Sequence, residues 1–234
     1  MSGRHIRCLE NEGQAYRGDK NSMHNLNPDI HDIRIYQKLG RVDAKSLDTV
    51  DQLLLILPAK PTGGVFGKQP QGAKMQAVYR KHAAGSTPAF TTRLGNKKQT
   101  LVVAGTIAAD ASTFEQLTLG RKLVAAATSQ KAGCVGICAV GFDSAAQMNL
   151  VKNILAAALA AAFKLPSYKS KPEPGSIRTV RLLGIDEKID TRRTAAEAKG
   201  NNLARWLTVQ PPNVLDAVGY ANLIRDMARD AGWQ

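Results

Sequence analysis

Cysteine is scarce in this 234-residue chain: Cys8, Cys134 and Cys138 are too few and odd in number, which excludes an even disulfide framework. Aromatic residues make up only 5%, so a core has to be assembled from Ala, Val, Leu and Ile rather than from rings. The most apolar run, Ile154 to Phe163, is about ten residues long between Lys152 and Lys164, too short to span a bilayer. No continuous apolar stretch of the secretory kind opens the chain. These absences lead to the expectation of a reduced, cytoplasmic setting and no membrane partner.

Several catalytic signatures are missing too. There is no G-x-S-x-G elbow, no H-E-x-x-H and no C-x-x-C. Gly63-Gly64-Val65-Phe66-Gly67-Lys68 has glycines and a lysine, but not the spacing of a phosphate loop nor the Ser/Thr after the lysine. Gly133 and Gly136 flank a strand instead of opening a helix, so the dinucleotide fingerprint is absent. His5, His24 and His31 are scattered, without a carboxylate or cysteine at ligand spacing. His82 reads as a capping or surface residue near a helix end rather than a general base. Asp143-Ser144, at a strand-to-helix junction, reads as an N-cap. No catalytic and no metal-ligating residue is therefore assigned, and no nucleic-acid-binding residue is located.

What the chain does have is positive charge. The formal net charge is +13 and the isoelectric point is near 9.9. The excess is +6 over residues 51–110 and +4 over 111–175, against +1 over 1–50 and +2 over 176–234. Lys97, Lys98, Arg121 and Lys122 are scattered among loops and helix faces, with no arginine-rich block, and read as a solvated surface. A nucleic-acid partner is compatible with the charge but is not located by it.

Residues 1–46 are charged and lack sustained period-2 or period-3.6 patterning, and read as a flexible extension, although Ile30 to Leu39 could make a short strand or helix. From Leu47 the pattern sharpens. Leu53 to Leu57 is a continuous apolar run closed by Pro58, as expected of a strand buried on both faces. A turn at 61–64 precedes a helix over 73–84 with Met75, Val78 and Tyr79 on one side. Strands at 89–94 and 100–104 flank Gly95-Asn96-Lys97-Lys98 as a hairpin. Ser112 or Thr113 caps a helix to about Gln130, with Phe114, Leu117, Leu123 and Val124 as its apolar positions.

Cys134 to Val140 forms the next strand. Its two cysteines lie four apart on one face, about 13 Å from each other, so they cannot bond together or share a metal. A long Ala-rich helix starts at Ser144 and runs through Phe163. Residues 164–175, with three prolines, form a loop. Ile177 to Ile185 alternates apolar and basic residues, as a half-exposed strand near an edge would. Helices follow at 191–207 and 217–231. The order implies an α/β fold, a mixed sheet with helices on both faces. The expected domains are an extension at 1–46, the α/β domain at 47–186, a linker helix and turn at 187–213, and the first helix of a truncated second domain at 214–234.

The run Asn202-Leu203-Ala204-Arg205-Trp206-Leu207-Thr208-Val209-Gln210-Pro211-Pro212-Asn213-Val214-Leu215 is the most informative stretch. Neither proline can donate a backbone hydrogen bond, and Gln210, before a proline, is pushed out of the helical region. Asn213 is a turn former and Asp216 a cap for the next helix. This helix, Pro-Pro-Asn-Val-Leu turn and second helix resemble the start of the catalytic domain of the leucyl aminopeptidase family. The preceding element order is similar to that family's macro-like N-terminal domain.

The resemblance implies a full-length metallo-exopeptidase that releases N-terminal residues, leucine among them, from peptide substrates. It implies two divalent metals, zinc or manganese, that bind the substrate amine and activate a bridging water. It also implies a hexamer, which the N-terminal domain helps to assemble. The family's metal motifs, a Lys and an Asp before a D-S-G-G-like segment and a later N-T-D-A-E-G-R-like one, do not occur here. Asp216, Asp226 and Asp230 do not replace them: 226 and 230, beside Arg225 and Arg229, read as a solvated helix face. The chain is thus expected to carry no cofactor and to be inert alone, with an assembly role. The alternative is a stand-alone macro-like module that binds nucleic acid or a nucleotide-type ligand.

Overall fold

In the computed structural model, residues 33–83, 89–165, 177–212 and 215–233 are described. Cys8, His5, His24, His31, Asn213 and most of the 164–175 loop lie outside them. The described residues divide into two compact units, one over 33–210 and one beginning at residue 211.

The first unit is a six-stranded sheet. Its strands are β1 (Arg34–Leu39), β2 (Gln52–Pro58), β3 (Ala89–Arg93), β4 (Leu101–Ile107), β5 (Cys134–Ala139) and β6 (Thr179–Ile185), in the order β1-β6-β5-β2-β4-β3. All neighbours run parallel except β3 and β4, which form the expected hairpin. The helices are α1 (Ala44–Leu47), α2 (Gly63–Gly67), α3 (Gly72–Ala83), α4 (Thr113–Thr128), α5 (Ser144–Ala162) and α6 (Arg192–Thr208). Mixed α/β architecture with helices on both faces is what the sequence implied.

Strand β2 sits at the centre because its apolar run can be buried on both sides. Leu54 and Ile56 join Val103, Val135, Ile137 and Leu182 under α4 and α5, which contribute Leu123, Val124, Ile154 and Leu155. Leu53, Leu55 and Leu57 face the other way, toward Leu47 of α1, Phe66 of α2 and Met75 of α3. Burying each such side chain stabilises the fold by roughly 1.5–3 kcal/mol before entropy is counted. Helix α4 begins with a reciprocal cap: the Ser112 hydroxyl accepts from the Glu115 N–H, and the Glu115 carboxylate accepts from the Ser112 N–H. Asp143 caps α5 by accepting from Ala146 N at 2.8 Å, as its position predicts. By length and composition α5 could cross a membrane, but it serves here as a core helix, with Ile154, Leu155 and Ala158 fully buried.

Several expectations need correction. The segment read as an extension supplies an edge strand, because Ile33 and Ile35 point to the core under α5 while Arg34, Tyr36 and Lys38 point outward. That period of two is short and polar on one side, so it is easily missed. Strand β6 is near the edge, as expected, but is covered there by β1, and it pairs with both β1 and β5. Its basic residue Arg181 is half-buried, and its guanidinium lies 4.8 Å from the centre of the Tyr36 ring. The turn expected at 61–64 is the start of α2. Phe114, counted among the apolar positions of α4, is 78% exposed.

In the second unit, α7 (Ala217–Asp230) starts at Asp216, whose carboxylate accepts from Gly219 N at 2.6 Å. Only Leu223 of this helix is buried; Val218, Tyr220 and Ile224 are exposed, as is Trp233 beyond it.

Candidate functional site

The parallel strands β6, β5 and β2 end on one side of the sheet, and a cleft of about 620 Å³ opens there. Its position follows from the topology. The chain leaves β2 toward β3 and β4, whereas it leaves β5 in the opposite direction, toward β6. The loops after these two adjacent strands therefore diverge, and a crevice at such a switch point is where open α/β sheets hold ligands. Thr62, Gly64, Val65 and Lys68 line one wall, and Val140, Gly141 and Phe142 line another. The loop after β1 adds Gly40, Arg41 and Val42, and the end of β6 adds Gly184 and Asp186.

Close approach of the loops is possible because residue 141 is glycine. Its φ is +84°, and a Cβ there would meet Pro58 Cγ at 2.9 Å and Val65 Cγ2 at 3.0 Å. Gln147, buried in the first turns of α5, holds the opposite side together. Its Nε2 donates to Ala139 O at 2.8 Å and Gly184 O at 3.1 Å, while its Oε1 accepts from Asp186 N at 3.1 Å. Arg41 crosses the rim, donating from Nε to Lys68 O at 2.9 Å and from NH2 to Gly67 O at 3.3 Å. Two cations, Arg41 and Lys68, and one carboxylate, Asp186, thus line the cleft.

The residues weighed in the sequence are distributed as follows. Gly63 to Lys68 forms no phosphate loop, yet Gly64 and Lys68 stand in the cleft. Asp143 is a helix cap, and Gln147, one turn on, is the residue that matters to the cleft. His82 is exposed and stacks on Phe90 at 6.1 Å, far along the chain from any acidic partner. Cys138 is fully buried, and that burial pushes its thiol up to about 12. Cys134 is half-buried; desolvation raises its thiol despite the opposing hydrogen bond and charge of Arg181. Both thiols are protonated at neutral pH and therefore poor nucleophiles. Arg41 and Asp186 were not singled out, because each is an isolated loop charge whose neighbours come from distant sequence.

A metal pair does not fit the described residues. Among them no group of three or more His, Cys, Asp or Glu side chains converges. Asp216, Asp226 and Asp230 are exposed at the start and along one helix, and Asp226 is paired with Arg229 at 3.2 Å.

No family model matches the sequence, and no curated protein matches it. Solved structures do match in fold. A mutant of tomato leucine aminopeptidase superposes with a TM-score of 0.65 at 16% identity, over 87% of this chain and 43% of that one. The bottromycin maturation enzyme BotP, in complex with Mn, gives 0.54 at 17% identity, over 78% of this chain and 37% of that one. The chain thus spans less than half the length of either enzyme, and its mixed six-stranded α/β fold is similar to the N-terminal domain of leucine aminopeptidase.

Proposed function

We propose that this chain is the N-terminal portion of a leucyl-aminopeptidase-type metallo-exopeptidase. The observation that carries the reading is the fold likeness to tomato leucine aminopeptidase, which extends over 87% of this chain yet takes up only 43% of that enzyme. The Pro211-Pro212 turn and the exposed apolar residues of α7 support it. Exposed Tyr220 and Ile224 share an apolar face with buried Leu223 and half-buried Met227 at i, i+3, i+4, i+7 spacing, a face only partly covered here. On this reading the boundary of the catalytic domain falls near residue 213, and the two divalent metals, zinc or manganese, are held by residues outside this sequence. The role of residues 33–210 is then structural: assembly of a hexamer around cytoplasmic peptide-cleaving sites.

The test is to read the coding DNA past the codon for Gln234, express the longest open frame, and assay release of leucine from a leucyl peptide with manganese. An extended frame with the Lys/Asp metal motif and metal-dependent release is the expected result. A stop codon there, with no release, overturns the proposal. Light scattering of the same protein measures the hexamer.

A second reading, a module for nucleic acid, is favoured by one observation. Arg34, Tyr36 and Lys38 alternate outward along β1, and Arg181 of β6 lies over the Tyr36 ring, with Lys38 paired to Asp43 at 2.9 Å. Salt titration with single-stranded DNA decides it, since such binding weakens steeply between low and moderate salt. Absence of binding at low salt removes it.

A further inference from the structure

We propose that the outer edge of β1 docks an extended acidic segment of a partner protein, one in which carboxylate and aliphatic side chains alternate, as a further strand of the sheet. The proposal stands on the sheet alone and goes beyond the aminopeptidase reading.

The sheet has two edges, β1 and β3, and they differ. Leu94 N donates to Thr100 O at 3.0 Å, so by alternation the main-chain groups of Arg93, one residue earlier, point away from β4. The outward carbonyl of Arg93 is taken by Lys74 Nζ. A lysine on a five-residue strand is a common guard against further pairing. Strand β1 has no such guard. Arg34 N donates to Arg178 O at 3.2 Å, which turns the main-chain groups of Arg34, Tyr36 and Lys38 toward β6 and those of Ile35 and Gln37 outward. Among the described residues, none bonds to these outward groups. The Gln37 side chain holds the strand in place instead: its Nε2 donates to Ile189 O at 2.8 Å and its Oε1 accepts from Ile189 N at 2.9 Å. Register with β6 runs unshifted from Arg34 to Lys38, and the strand contains no proline. The edge is therefore regular and open to main-chain pairing.

Charge selects the occupant. An added strand extends both faces of β1, one carrying Ile33 and Ile35 over the core, the other carrying exposed Arg34, Tyr36 and Lys38. Lys38 meets Asp43 at 2.9 Å, but Arg34 has no carboxylate partner among the described residues, and its neighbours on β6 add exposed Arg178 and half-buried Arg181. A carboxylate directly across from Arg34 is stabilising, and a cation there is not. Aliphatic side chains at the alternate positions continue the face of Ile35. A second copy of the chain would bring +13 against +13, so an acidic strand fits the edge better than self-pairing does.

The full chain titrated by calorimetry at low salt with a short peptide of alternating valine and glutamate, acetylated and amidated at its ends, provides the test. Amide hydrogen exchange is followed on the same samples. Expected is saturable binding with exchange slowed at Ile35 and Gln37, while Tyr36 N–H, already turned to β6, changes little. The matching valine–lysine peptide should not bind. Arg34→Glu should weaken the glutamate peptide about fivefold and admit the lysine peptide, since an attractive cross-strand pair becomes a repulsive one. Arg34 is exposed, so the unfolding midpoint should barely move. No binding at millimolar peptide overturns the proposal, as does equal binding of the two peptides or unchanged affinity in Arg34→Glu. Slow exchange at Ile35 and Gln37 without peptide also overturns it: independent of protein concentration, it assigns the edge to this chain's own residues, and rising with concentration, to a second copy. The acetylated peptide has no free amine to be cleaved from, so failure here leaves the aminopeptidase reading standing, and the reverse holds.

Discussion

Asp51 shows how much one side chain can do between two strands. It precedes β2, and its carboxylate accepts from Cys134 N at 2.8 Å and Gly133 N at 3.2 Å at the start of β5, and from Lys98 Nζ at 2.9 Å. Burial pushes its carboxyl up, but the bonds from Lys98 and the two amides outweigh that and leave it below the ordinary 3.8. A lowered carboxyl stabilises the fold above the unfolded value, and the contribution is lost as pH falls through the folded one. Stability measured in urea should therefore decline below about pH 4 in the native chain, and more weakly in Asp51→Ala. That substitution should cost about 1–2 kcal/mol at neutral pH, since water reaches part of the site and screens the Lys98 pair. Gln147→Leu should cost more, about 2–3 kcal/mol, because three buried or half-buried backbone groups lose their partner together. Faster amide exchange at Asp186 would mark the loosened cleft wall.

The helices α4 and α5 cross where a side chain is absent. A Cβ on Gly120 would meet Ala157 Cβ at 2.9 Å and Ile154 Cδ1 at 3.1 Å, so the two helices approach closely at this point. Gly120→Leu should destabilise by about 1–3 kcal/mol through overpacking, read from the urea midpoint, whereas the exposed Phe114→Ala on the same helix should stay within about 0.5 kcal/mol. The contrast also shows what was legible in the sequence. Helix α4 was readable from its cap and its periodicity, and β2 from five apolar residues before a proline. Which face of α4 was inward was only partly readable, because Phe114 sits in the first turn, beyond the reach of the sheet. Strand β1 was obscured for a different reason: Arg34, Tyr36 and Lys38 are exposed, so its pattern resembles that of a charged extension. The cleft was the least legible, because Arg41, Lys68, Gly141 and Asp186 become neighbours only through parallel pairing across more than 140 residues of chain.

At the scale of the molecule, residues 33–210 contain both faces of the sheet and the two apolar clusters that flank it. The described members of both clusters fall between Ile33 and Ala198. Even the end of α6 is tied to α5 within this unit, where Arg205 donates to Ala160 O at 2.8 Å and Trp206 is 8% exposed. A domain with its own core folds by itself. Residues 33–210 expressed alone should therefore unfold in one cooperative step, with a urea midpoint close to that of the full chain. Addition of manganese or zinc should leave the midpoint of that fragment where it was, because ligands stabilise only the state that binds them and no carboxylate or histidine cluster is present among the described residues. A fragment that fails to fold would assign part of the core to the flanking residues. A metal-dependent rise in midpoint would place ligands within this chain, and with them some of the chemistry now assigned to residues outside it.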